Sequence, residues 1–135
     1  MSLYKQNGTK VWETAISHSR YSKMVVGSNG QIYYTDVKNK KIWAYDNDGR
    51  YIYDFSTHGD GDPLGICIDS TYTWLFVGFV QCSPCDVLLY NVNGTFISHV
   101  LQTPDNVNSL VLYEDSLLVV GSFNNITMYN VRGLI

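Results

Sequence analysis

Tyrosine and glycine recur together, four positions apart, along the whole of this chain: Tyr4 with Gly8, Tyr45 with Gly49, Tyr90 with Gly94, Tyr129 with Gly133. Successive pairs lie 41, 45 and 39 residues apart. A second mark keeps the same phase. Runs of β-forming residues end at Tyr34-Thr35-Asp36, Phe76-Val77-Gly78 and Val119-Val120-Gly121, at intervals of 42 and 43 residues. Self-similarity at this period restricts the chain to architectures built from one small unit, each copy sheltering its apolar faces on its neighbour.

Residues 23–57 show the unit most clearly. Met24-Val25-Val26 is a short apolar run, and Ser28-Asn29-Gly30 is a turn. Gln31–Thr35 and Ile42–Tyr45 are β-rich runs, and Tyr51–Phe55 alternates. Between the last two lies Asp48-Gly49, a pair that closes tight hairpins because glycine accepts the positive φ such turns need. Each unit therefore reads as four antiparallel strands, A to D. Residues 65–102 repeat the plan, with Asn93-Gly94 in the C–D turn. Residues 109–135 supply A, B and C, and residues 1–17 supply only a C and a D. No segment carries a sustained helical period.

Small four-stranded sheets fanned about an axis are propeller blades, and closed rings hold four to eight of them. The fold class expected is all-β: a partial β-propeller of about three four-stranded antiparallel blades, open or part of a larger ring. The chain is read as a piece of a larger propeller that lacks its other half, with a homodimer of two half-rings as the alternative.

Composition narrows the function. The longest apolar runs fall far short of the ~20 residues of a membrane helix, so no membrane partner is expected. The amino terminus lacks the basic-then-apolar order of a signal peptide, and three cysteines fit a reducing, cytoplasmic setting. Net charge is −3, and it is uneven: residues 1–67 carry a net +1 and residues 68–135 a net −4. No global positive field favours nucleic acid.

The stretch Gly30-Gln31-Ile32-Tyr33-Tyr34-Thr35-Asp36, followed by Asn39, Ile42, Tyr45, Asp48 and Gly49, resembles the NHL-repeat family. Pro63-Leu64-Gly65-Ile66-Cys67-Ile68-Asp69 is similar to the opening of such repeats. The later units depart from the pattern, with Gly78 and Gly121 where the family has Asp. The resemblance implies a non-catalytic scaffold that recognises a protein, as the partner-binding part of a tripartite-motif, ubiquitin-ligase-like protein. It also implies an RNA-binding alternative, since some NHL domains bind RNA. Tyr33-Tyr34-Thr35-Asp36 also nearly matches the Tyr-Trp-Thr-Asp motif of the low-density-lipoprotein-receptor type, an extracellular alternative.

In a propeller the B–C and D–A loops gather on one face, and loops on a rigid scaffold are where binding residues concentrate. On that face the candidate partner-binding residues are Arg20, Tyr21, Lys38, Lys40, Lys41, His58 and Asp60. The lysines with Arg20 and Tyr21 are the patch an RNA would use, through phosphate contacts and base stacking. His58-Gly59-Asp60-Gly61-Asp62 alternates oxygen ligands but lacks the rest of a calcium loop, and reads as a turn. Cys82-Ser83-Pro84-Cys85 is half of a zinc site at most, and reads as a tight turn with free thiols, bridged only in an oxidising setting. The A-strand starts (Ser22, Lys23, Leu64, Gly65, Val107, Asn108) form a ring without an acid. No catalytic residue, metal or cofactor is therefore expected. The sequons at Asn7, Asn93 and Asn125 are read as structural turns.

Overall fold

A computed structural model describes residues 2–4, 8–15 and 22–135. Among them are thirteen strands and no α-helix. The first sheet pairs β1 (Ser2–Tyr4) with β2 (Lys10–Glu13). The second has β3 (Met24–Val26), β4 (Ile32–Asp36), β5 (Lys41–Tyr45) and β6 (Tyr51–Ser56) in that order. The third has β7 (Asp62–Ile68), β8 (Trp74–Val80), β9 (Cys85–Asn91) and β10 (Phe96–Thr103). The fourth has β11 (Ser109–Tyr113), β12 (Leu117–Gly121) and β13 (Ile126–Asn130). Every pairing is antiparallel between strands adjacent in sequence. The fold is a partial β-propeller.

The hairpin signals act as their chemistry dictates. Gly49 and Gly94 sit at φ of 81° and 98°, where a side chain would be strained. Asp46 and Asn91 fold their side chains onto the turn: Asp48 and Arg50 donate amides to Asp46 Oδ1 at 2.8 and 3.0 Å, and Asn93 donates to Asn91 Oδ1 at 2.9 Å. The β7–β8 turn is held by buried Asp69. Its carboxylate accepts the amides of Thr71, Thr73 and Trp74 at 3.2, 2.9 and 2.8 Å, with the Thr71 hydroxyl in addition. Burial alone would raise this carboxyl, but the bonds from Thr71, Trp74 and Thr73 outweigh it and hold it below the ordinary aspartate value.

Each sheet turns one face toward the next sheet in chain order, its leading face. In the second sheet the leading row is Val25, Tyr33, Ala44 and Tyr53, paired across four strands. It packs on Ile66, Leu75, Val77, Leu88 and Tyr90 of the third. In the third, the row Cys67, Phe76 and Leu89 packs on Leu110, Leu118 and Val120 of the fourth. Alternation along each strand sends successive residues to the two faces, so both sides of the third sheet are apolar and buried. Polar ties fasten the stack. Tyr53 donates to the Val92 carbonyl, Trp12 Nε1 donates to the Asn47 carbonyl at 2.6 Å, and the Ser70 amide donates to Asp115 Oδ1 at 2.9 Å.

Gly78 stands in the third sheet where the second has Asp36, and its surroundings explain the glycine. Val107 lies on it so closely that a Cβ would meet Val107 Cγ1 at 2.1 Å. An aspartate cannot fit there. At Gly121 an added Cβ meets only ordinary contacts, so nothing in the structure calls for glycine there.

Candidate functional site

The motif residues at the end of β4 have a structural task. Asp36 is fully buried and accepts the Asn39 amide at 3.1 Å, Asn39 Nδ2 at 2.8 Å and Trp43 Nε1 at 2.9 Å. A buried carboxylate is stable only with such donors around it. Buried Thr35 accepts the Lys23 amide at 3.0 Å and donates to the Leu64 carbonyl at 3.0 Å. One hydroxyl thus joins the starts of two neighbouring A strands.

Lys23 and Leu64 are two walls of a cleft of about 610 Å³ on the propeller axis. Every other lining residue comes from the same face. Ser22 precedes β3, Val37 follows β4, Val80 ends β8 and Gln81 follows it, Asn106 and Asn108 precede β11, and Phe123 follows β12. The walls are pinned by backbone geometry. The Gln81 amide donates to Asn106 Oδ1 at 2.9 Å, Val107 to the Phe79 carbonyl at 2.9 Å, and Asn108 to the Gly121 carbonyl at 2.9 Å. The lining offers three amide side chains, one hydroxyl and one ammonium group among apolar walls, with Phe123 standing 82% exposed at the rim. It contains no carboxylate, imidazole or thiol among the described residues. Nor do they hold any group of three or more His, Cys, Asp or Glu fit for a metal.

The candidates named from sequence scatter around this cleft rather than lining it. Lys38 and Lys40 are exposed in the β4–β5 turn, one residue and three residues beyond Val37. Lys41 is drawn outward, its Nζ 3.0 Å from Asp54 and 5.7 Å from the Trp43 ring centre. His58 lies in the seam between the second and third sheets. Its amide donates to Tyr90 Oη at 2.9 Å, and its ring sits 5.0 Å from that of Phe96. Asp60 is exposed in the β6–β7 loop. Arg20 and Tyr21 lie outside the described residues.

Sequence reasoning found the Ser22, Lys23, Leu64 and Asn108 ring, and missed Val37, Val80, Gln81 and Phe123. It also misjudged one pair. Cys82 and Cys85 are bridged, with Cα atoms 5.1 Å apart, not free thiols. The bridge lies at the edge of the axial face, where Cys82 and Asn106 line one small pocket. Cys67 is the free cysteine among the described residues, buried, its thiol pushed up to about 12 by that burial and by Asp69.

No protein-family model matches the chain, and no curated protein matches it. Solved structures do. A streptogramin B lyase superposes with a TM-score of 0.67 at 16% identity, over 97% of this chain and 47% of its own. A protein of unknown function from Bacteroides caccae superposes with a TM-score of 0.63 at 12% identity, over 98% and 50%. At this identity the likeness shows the propeller fold alone. The chain spans about half the length of these structures.

Proposed function

We propose that the chain is a non-catalytic binding module whose axial cleft and loop rim hold a segment of a protein partner. The observation that carries this is the lining: three amide side chains between apolar walls, capped by an exposed aromatic ring. Asparagine and glutamine both donate and accept, so they match the alternating groups of an extended peptide backbone. An exposed phenylalanine beside a pocket is the kind of anchor that dominates a protein interface. Among the described residues the cleft offers no general base or metal ligand, which is why a lyase activity like the neighbour's name is not carried over. The finer type we propose is NHL, in the partner-binding part of a tripartite-motif-like protein. Its support is the Thr35-Asp36-Asn39 arrangement and the strand plan of the second sheet.

Panning a random peptide library on the chain tests the site. Selected peptides should lose affinity at least about tenfold with Phe123→Ser or Asn108→Lys, and keep it with Arg50→Glu in the β5–β6 turn of the other face. Peptides indifferent to both cleft variants refute the assignment.

RNA is the second reading, because Lys38 and Lys40 are exposed on the same face and Lys23 forms a wall of the cleft. A salt-dependent gel shift lost on reversing Lys38 and Lys40 would favour it over protein. The cytoplasmic setting remains the sequence-based proposal. The Cys82–Cys85 bridge opposes it, and a thiol count on protein taken directly from cells decides between reducing and oxidising surroundings.

A further inference from the structure

The C–D turn of the third sheet, between β9 and β10, carries a chemical signature that the fold leaves unused. Asn93-Gly94-Thr95 satisfies the acceptor pattern for an N-linked oligosaccharide, Asn-x-Ser/Thr with x other than proline. Asn-Gly-Thr also suits a hairpin turn, and here the two roles fall to different atoms of one side chain. The turn uses the oxygen: Asn93 Oδ1 accepts the Thr95 amide at 3.0 Å. An N–H donor can meet only the oxygen of a side-chain amide, so Nδ2 is the end left over, and it makes no hydrogen bond among the described residues. Asn93 and Thr95 are both exposed. The equivalent turn of the second sheet differs on both counts. It reads Asn47-Asp48-Gly49-Arg50, and Trp12 lies on Gly49 while its indole donates to the Asn47 carbonyl. The third sheet is packed on both faces by sheets of this chain, so the exposure of its turn is not that of an end of the stack.

We propose that Asn93 is an N-glycosylation site, with Nδ2 the attachment atom. A second observation points the same way. Disulfides form and persist in oxidising compartments, and the secretory path that oxidises cysteines is also where such oligosaccharides are attached. The reducing setting was inferred from three free thiols, and that ground is gone with Cys82 and Cys85 bridged. The inference therefore rests on the bridge and the turn together, and holds whichever ligand the axial cleft takes. In the transfer, Nδ2 bonds to the anomeric carbon of a lipid-pyrophosphate-linked oligosaccharide. The bond from that carbon to the pyrophosphate oxygen breaks, the lipid pyrophosphate leaves with the electron pair, and one Nδ2 proton passes to a base of the transferase. Oδ1 is untouched, so the Thr95 bond and the turn survive. The β9–β10 turn lies on the face opposite the axial cleft, which stays open. The sugar stands instead at the start of β10, an edge strand whose Phe96 and Ile97 are 40% and 42% exposed, where a bulky polar group hinders edge-to-edge pairing. Asn125-Ile126-Thr127 is a further sequon among the described residues; it borders the axial face and has no part in the proposal.

Peptide mass spectrometry of the full chain isolated from its natural source tests it. An amidase that releases N-linked oligosaccharide converts the asparagine that bore it to aspartate, and in heavy-oxygen water labels that aspartate. The expected result is labelled aspartate at position 93 after release, with the Cys82–Cys85 bridge found in the same sample. In protein expressed through a secretory path, Asn93→Gln and Thr95→Ala should each abolish the modification at this position, and Thr95→Ser should keep it. These readings are made on peptides, so a variant that folds poorly still reports. Unmodified Asn93 in protein from its source, or a modification at Asn93 that survives Thr95→Ala, overturns the inference.

Discussion

Gly78→Ala should be costly in a way that only Val107 explains. In most strands alanine at a glycine position is favourable by roughly 0.5–1 kcal/mol, since it lowers the entropy of the unfolded chain. Here the added methyl would sit 2.1 Å from Val107 Cγ1 and 2.7 Å from its Cβ. Ordinary contact begins near 3.4 Å, so something must move by roughly 1.3 Å in a close-packed interior. Val107 has little freedom to yield. It is fully buried, and its amide is tied to the Phe79 carbonyl at 2.9 Å. Overpacking of this kind costs about 1–3 kcal/mol, and the tie puts Gly78→Ala near the upper end. Val107→Ala alone empties part of a buried site and should cost about 2 kcal/mol. Together the two changes relieve each other in part, because the Cγ1 at 2.1 Å is gone while the Cβ at 2.7 Å stays. The double variant should then lose about 2–3 kcal/mol rather than the ~5 kcal/mol of the sum, a coupling of about 2 kcal/mol. Urea unfolding followed by tryptophan fluorescence, at one protein concentration, reads all four corners of the cycle. Additivity within about 0.5 kcal/mol, or a neutral Gly78→Ala, refutes the packing of the β11 approach on the third sheet.

The Asp69 turn gives a pH dependence. Its carboxyl lies below the ordinary value when folded, so its contribution is complete above about pH 4 and is lost as pH falls through the folded value. Asp69→Ala should cost roughly 3 kcal/mol at neutral pH and flatten the acid limb of stability against pH; an unchanged limb contradicts the bonding described. Asp36→Ala should cost a similar amount, about 3 kcal/mol, because Trp43 Nε1 and two Asn39 donors lose a buried acceptor; thermal denaturation checks it, and a loss below about 1 kcal/mol counts against the motif's structural task. In unreduced, unfolded protein one thiol should titrate, and three after reduction. In folded protein Cys67 should stay unreactive to alkylating reagents at neutral pH, and prompt labelling would contradict its burial.

The strand plan was legible because its signals are local. Asp48-Gly49 and Asn93-Gly94 mark turns by backbone chemistry alone, and the alternation around them assigns each residue to a face. The loop face was legible for the same reason, since strand order decides which ends meet. What the loops do there depends on contacts made across sheets. Lys41 is exposed by composition, yet Asp54 on the neighbouring strand captures it. His58 is the exposed loop residue its sequence suggests, and Tyr90, 32 positions later, accepts its backbone amide. Phe123 and Gln81 join the cleft only because the third and fourth sheets fan toward one axis, and no spacing in the sequence records that angle. The cysteine pair carried an ambiguous signal: a two-residue gap suits a bridge and a simple turn equally well. Gly78 appeared as a lapse in the repeat, whereas it makes room for Val107.

Separate sheets stacked face to face about an axis are what all of this requires. Cross-strand Hα–Hα contacts measured by nuclear Overhauser spectroscopy on uniformly labelled protein test it most directly. They should join β3 to β6, β7 to β10 and β11 to β13 in order, while Val107 methyls contact the Gly78 Hα protons across the gap between sheets. Strand-to-strand Hα–Hα contacts linking β6 to β7, or β10 to β11, would mean one continuous barrel and would contradict the account.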